Sequence, residues 1–180
     1  MSFVSWLANR FFAKGSQPTE AAIEESPYRG RVKMHGMFNA YLRGPNGELK
    51  EEWHIPNIIT SGGEAHVADQ MSDQGQGAMS HMAVGTSGTG PATGNTALGG
   101  ELDRNALTAT QDGGGIGKNK VRYECNWAAG DGTGAIQEAG IFNAATAGTM
   151  FARVTFSVIN KGAADTLDVD WDVTFSDDGV

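Results

Sequence analysis

The sequence predicts a mainly β protein: an antiparallel β-sandwich or jelly-roll-like barrel with one or two short helices and an N-terminal helical arm. The first observation behind this is residues 167–175, LDVDWDVTF. There Leu167, Val169, Trp171, Val173 and Phe175 alternate without a break with Asp168, Asp170, Asp172 and Thr174. Successive side chains of a strand point to opposite faces, so this run places one face in a core and one in water, whereas a helix would scatter both sets. A one-residue slip would bury three aspartates in place of five apolar groups worth roughly 2 kcal/mol apiece, which sets the register locally. The second observation is composition: 26 glycines, 5 prolines and 39 % apolar residues suit short strands joined by glycine-rich turns. The third is spacing, with roughly six to eight alternating runs bounded by turn clusters.

At 180 residues the chain is long enough for one domain with a sizeable core. The expected division is an amphipathic arm and linker over residues 1–30 and a β-domain over 31–180. In the arm, Phe3, Val4, Leu7, Phe11 and Phe12 fall at helical spacing, and the stretch 13–30 carries both early prolines among glutamates and polar residues, as a linker does. So short a helix needs something to lie against, either its own domain or a neighbouring subunit. Phe3, Trp6, Leu7, Phe11 and Phe12 are therefore the candidate partner-binding residues. One lysine and one arginine are a thin signal for a membrane surface.

The domain opens with an alternating run, Val32, Met34, Gly36, Phe38, Ala40 and Leu42 against polar neighbours, which turns at Pro45-Asn46-Gly47 into a second run ending at Pro56-Asn57. Ser61 with Glu64 has the capping-box pattern, and a helix over about 62–71 is expected, with Ala65, Ala68 and Met71 inward. A short strand over 79–84 leads into a glycine loop at 85–91, and 93–104 offers a helical turn around Ala97, Leu98 and Leu102 that Gly99-Gly100 weakens. Residues 106–127 read as a long hairpin with its tip at 112–118. A further loop at 130–134 precedes a strand over 136–143. Met150, Ala152, Val154, Phe156 and Val158 alternate with Arg153, Thr155 and Ser157, and Asn160-Lys161-Gly162 turns into the final strand.

Charge and motifs narrow the function classes. A net charge of −8 and a pI near 4.9 argue against a nucleic-acid footprint, which needs a basic face. No run approaches the eighteen or so apolar residues that cross a bilayer, and the first residues lack the apolar core of a secretory signal, so manufacture and use without a membrane step are expected. Cys125 alone permits no intrachain disulfide or multi-cysteine zinc site, and in the run Val121, Tyr123, Cys125, Trp127 it reads as a small buried hydrophobe. Residues 112–119 imitate a phosphate loop, but Asp112 holds the first glycine position, Asn119 the Ser/Thr position, and a strand follows; a hairpin tip is the better reading. His35, His54, His66 and His81 have no metal-ligand spacing. Asp168, Asp170 and Asp172, about 7 Å apart along a strand, are too widely spaced for one calcium ion and read as a solvated acidic stripe or a contact for a basic partner. Trp53 and Tyr123 fit a core better than a sugar platform. Neither a nucleophile elbow nor a supported Cys-His pair is visible, so no catalytic, cofactor or metal residue is assigned.

Several words, taken in order, resemble a family. They are Asn57-Ile58-Ile59-Thr60-x-x-Gly63, then Ala83-Val84-Gly85-Thr86 with Gly88 and Gly90, then Thr96-Ala97-Leu98-x-x-Glu101-Leu102-x-Arg104, then Glu138-Ala139-Gly140-Ile141-Phe142-Asn143 and the closing Trp171-x-x-x-Phe175. This pattern resembles small virion structural proteins of tailed bacteriophages, of the head-decoration, cement or fibre-associated type, over about 57–175. The resemblance implies a noncatalytic capsid decoration or cement protein, assembled into the virion in the host cytoplasm. Its partners would be the major capsid protein or other virion proteins, and its unit a homo-oligomer, with a trimer expected. The alternative within the same family is a neck, collar or tail-fibre component that binds a host glycan or an adaptor through the loops at 85–91, 112–119 and 130–134. In chemical terms the words look like scaffold: Asn57 can bridge backbone, Glu101 can pair with Arg104 on a helical turn, and Glu138 can accept backbone N–H groups or pair with Arg104 or Arg153.

Overall fold

A computed structural model describes residues 32–113 and 116–177, and Lys33–Ser176 forms one compact unit. The expected helical arm, with Phe3, Trp6, Leu7, Phe11 and Phe12, lies outside the described residues. The elements run β1 (Val32–Arg43), β2 (Leu49–Ile59), α1 (Ser61–Ser72), β3 (His81–Gly85), β4 (Glu101–Ala106), β5 (Ala109–Asp112), β6 (Lys120–Trp127), β7 (Gly134–Phe142), β8 (Met150–Lys161) and β9 (Thr166–Asp177). The protein is thus mainly β, with one α-helix among the described residues. The strands form one antiparallel sheet in the order β4-β3-β7-β8-β2-β1-β9-β6-β5.

The sheet curls because two stretches of chain change neighbours. β2 pairs with β1 from Leu49 to Asn57, and then its last residues, Ile58 and Ile59, pair with Arg153 and Ala152 of β8. Pro56-Asn57, read from sequence as the end of the run, is instead its corner. The second switch joins the two edges of the sheet, for β4 pairs with β3 and β5 with β6, yet only Leu107 and Thr108 separate them. Their N–H groups donate to Ser80 O at 2.9 Å and Glu124 O at 2.8 Å, so the chain steps from one edge to the other without losing backbone partners.

β9 sits as its alternation requires: Leu167, Val169, Trp171 and Val173 are buried in the core with Phe38, Leu42, Trp127, Ile141 and Val154. Trp171 meets Phe38 edge-on with centroids 5.1 Å apart, and Phe38 stacks on Phe156 of β8, also at 5.1 Å, so three strands share one aromatic column. The opposite face of β9 is not the solvated acidic stripe expected. Asp172 is buried between Arg122 (2.6 Å) and Lys120 (3.1 Å), and Asp168 accepts from Asn126 and Arg43. Facing strands supply the cations, which the sequence of one strand does not reveal.

Three local expectations are corrected. The helix is capped by Thr60, whose Oγ1 accepts from Gly63 N at 3.0 Å, and it turns Gly63, His66 and Val67 inward, leaving Ala65, Ala68 and Met71 exposed. A Cβ on Gly63 would overlap the Phe151 carbonyl oxygen, so the first turn lies directly on β8. Residues 93–100 form no helical turn, and 101–106 is strand β4. In β8 the alternation breaks: the β7–β8 register shifts between Ile136 and Glu138, and the inward set passes from Ala152 and Val154 to Ile159 and Lys161, turning Val158 out. The shift inverts parity, as a bulge does.

Candidate functional site

Among the described residues, a dense cluster of buried polar groups lies where the loop between β3 and β4 folds over β7 and β8. Glu138, on β7, and Arg153, on β8, occupy diagonal positions on one face, because Glu138 pairs with Thr155 and Arg153 with Gly140. Glu138 is fully buried and Arg153 nearly so. Arg153 donates from Nε (3.1 Å) and Nη2 (2.8 Å) to Glu138 Oε2. The same oxygen accepts from Gly99 N at 3.0 Å, while Oε1 accepts from Gly100 N at 2.7 Å and Ser87 N at 3.2 Å. The remaining guanidinium donors go to Asn95 Oδ1 (2.9 Å), Thr89 O (3.0 Å) and Gly90 O (3.4 Å). All five N–H groups of the guanidinium are therefore used.

Burial alone would raise the Glu138 pKa, but the Gly99 N–H, the Arg153 guanidinium and the N–H groups of Gly100 and Ser87 outweigh it and hold the carboxyl below the usual glutamate range. Small residues make this clamp possible. A Cβ on Gly85 would stand 2.6 Å from Glu138 Oε1 and from Gly100 O, and one on Gly100 would stand 2.9 Å from Thr86 Oγ1.

A second arginine closes the next turn. Arg104 pairs with Glu101 through Nε (3.0 Å) and Nη2 (2.6 Å), on strand β4 and not on the helical turn expected. Its Nη1 donates to Ala144 O and Ala147 O, and its guanidinium lies 3.7 Å over the Phe142 ring. Asn57, at the β2 corner, accepts from Trp171 Nε1 at 2.7 Å and donates to Ile58 O at 2.9 Å. Of the alternatives for Glu138, the structure selects Arg153 together with backbone N–H groups. Both carboxylate oxygens and every guanidinium donor are spent on internal partners, so the arrangement fixes a loop and presents no free group to a ligand.

The three glycine loops do not converge. The 85–91 loop lies against Glu138 and Gln137, and 130–134 follows the Trp127 end of β6 and binds Ala163 O through Gly130 N. Residues 112–113 and 116–119 sit at the Lys120 end of that eight-residue strand, about 25 Å away. Trp53 and Tyr123 pack partly buried against the core, as expected. Among the described residues, no group of three His, Cys, Asp or Glu side chains could hold a metal, and no helix is long and apolar enough to cross a membrane.

Sequence reasoning missed two features. Lys161, placed in a turn, is buried, and its Nζ donates to Ala128 O (2.9 Å) and Asp165 O (2.7 Å); burial lowers its pKa. An apolar groove of about 310 Å³ also opens beneath α1, lined among others by Val67, Met71, Phe151 and Phe175. The signal for it was Met71, the apolar residue the helix turns to solvent.

Cys125 is buried, as its alternation requires, and burial pushes its thiol up to about 12. At about pH 8 the native chain should therefore not react with a thiol reagent within minutes, whereas the unfolded chain should titrate one equivalent. Prompt reaction of the native chain in a spectrophotometric thiol assay would contradict this burial. No protein-family model, no curated protein and no solved structure matches the chain.

Proposed function

We propose that the chain is a noncatalytic structural component of a tailed-bacteriophage virion, and within that class a capsid decoration or cement protein. It stabilises an assembled shell through subunit contacts, with the segment bearing Phe3, Trp6, Leu7, Phe11 and Phe12 inserted into a neighbour. The curled sheet serves as a sandwich-like block whose two layers share β2 and the β4–β5 run, and a homotrimer on the shell is the expected unit. Partners are the major capsid protein or other virion proteins, met in the host cytoplasm during assembly.

One observation carries the reading: separate words of the phage-like pattern, from Gly85 to Phe142, meet in two linked clusters. Gly85, Thr86, Glu138 and Gly140 gather at the buried clamp; Glu101, Arg104 and Phe142 form the adjoining stack. A pattern whose residues hold a loop to a sheet is a pattern of scaffold. Many modest contacts repeated over a shell add up through effective concentration.

Deleting residues 1–30 should leave a folded domain whose occupancy on purified particles falls at least about tenfold, a loss of more than about 1.4 kcal/mol per site. Quantitative mass spectrometry of particles reads both occupancy and copy number. Hundreds of copies support a shell component; a dozen or fewer would place the chain at a neck, collar or fibre, and unchanged occupancy after the deletion would refute the inserted arm.

A further inference from the structure

We infer that the groove between α1 and strands β6 and β9 receives the leading segment of a second copy of this chain. This rests on the virion-structural reading and names the surface that the inserted arm grips. One wall is Val67 and Met71 of α1, the other is Val121, Val173 and Phe175, with Phe151 between them; among the described residues, no carboxylate, ammonium or guanidinium lines the groove. It stays open because α1 buries Gly63 and His66, in its first two turns, against the body, while Met71, in the last turn, is 86 % exposed. A charged or strongly polar ligand would lose its water there and find little to pair with, since His66, Gln70 and Tyr123 supply the few polar atoms.

The volume is that of roughly ten waters, a scale that takes one or two aromatic side chains and not a whole helix. The first twelve residues hold three of the eight phenylalanines and one of the four tryptophans, and they carry no carboxylate and one arginine. That composition matters in a chain of net charge −8, whose copies repel one another. Two acidic copies associate most readily where an uncharged groove meets a segment free of acid. Residues 13–31 set the reach: fully extended they span at most about 65 Å. A domain the size of Lys33–Ser176 has a radius of gyration of only about 15 Å, so the segment can cross to an adjacent copy.

The test uses full-length chains. A tagged chain carrying Phe11→Cys is mixed with an untagged chain carrying Gln70→Cys under mild oxidation; Cys125, being buried, does not compete. A tagged–untagged disulfide dimer is expected. Adding Met71→Glu, which places a charge on an exposed groove position, should cut its yield about tenfold without moving the unfolding midpoint. A chain carrying both cysteines that closes only on itself would show its own segment in the groove and overturn the inference. So would the absence of any cross-link. If particle occupancy still depends on residues 1–30 in that case, the virion reading stands and only the groove is refuted. If the cross-link forms but particles ignore the chain, the groove stands and the virion reading falls.

Discussion

Glu138→Ala is expected to lower the unfolding free energy by about 3–5 kcal/mol, the cost of leaving one member of a buried ion pair alone. The substitution strips Arg153 of two charge-assisted bonds and leaves the N–H groups of Ser87, Gly99 and Gly100 without their acceptor. Glu138→Leu combined with Arg153→Met removes the stranded charge but not the stranded N–H groups, so it should recover part of the loss and no more. Urea unfolding with an unchanged slope measures all three chains. A Glu138→Ala loss below about 1 kcal/mol would mean that the clamp does not hold the 86–100 loop.

The same carboxyl sets an acid limit. Its folded pKa is lowered by the backbone N–H groups and Arg153 despite burial, so its contribution is fully present above the unfolded glutamate pKa, about 4.3, and is lost as pH falls through the lower folded value. Asp172, whose burial is outweighed by Arg122 and Lys120, has the same sign. Glu138→Gln should therefore be the less stable chain at neutral pH, and its deficit should shrink below about pH 4. A deficit that does not change with pH would show that Glu138 is not the titrating group.

How far this clamp was legible depends on what each residue needed. That Glu138 beside a glycine turn accepts backbone N–H groups followed from its chemistry; that Arg153 and not Arg104 completes it depended on the β7–β8 register, which no local pattern encodes. Alternation predicted β9 because its two faces differ throughout. In β8 the same reasoning runs straight across a register shift: it turns Val158 inward where the fold turns it out, and it ends the strand in a turn at Lys161 where the fold buries that lysine within the strand. The stretch around Ala97, Leu98 and Leu102 has helical spacing, yet Gly99 and Gly100 are there to bring their N–H groups to a carboxylate in another strand. Tertiary need overrode a local period. The α1 face was misjudged in a similar way: Gly63 carries no hydrophobic signal, but its bareness is what lets the helix lie on β8.

Trp171 offers the second large effect and a way to separate packing from hydrogen bonding. Trp171→Ala should cost about 3–5 kcal/mol, since it empties a fully buried position where β9, β1 and β8 share the column with Phe38 and Phe156. Trp171→Phe keeps much of the ring and loses Nε1, so Asn57 Oδ1 loses its donor at a part-buried position; about 1–3 kcal/mol is expected. The location of that loss is the sharper test. Asn57 stands where β2 leaves β1 for β8, and a Cβ on the facing Gly36 would overlap its side chain, so the asparagine is held in one place by the strand beside it. Releasing it should loosen the short Ile58-Ile59 pairing with β8 before the long β1–β2 ladder. Native-state hydrogen exchange of Trp171→Phe should therefore quicken at the β2–β8 amides, including Thr60 N, which donates to Phe151 O, while the amides paired between β1 and β2 around Phe38 and Ala40 keep their protection. Uniform quickening across both ladders would mean that the tryptophan acts through bulk alone and that the corner does not depend on its hydrogen bond.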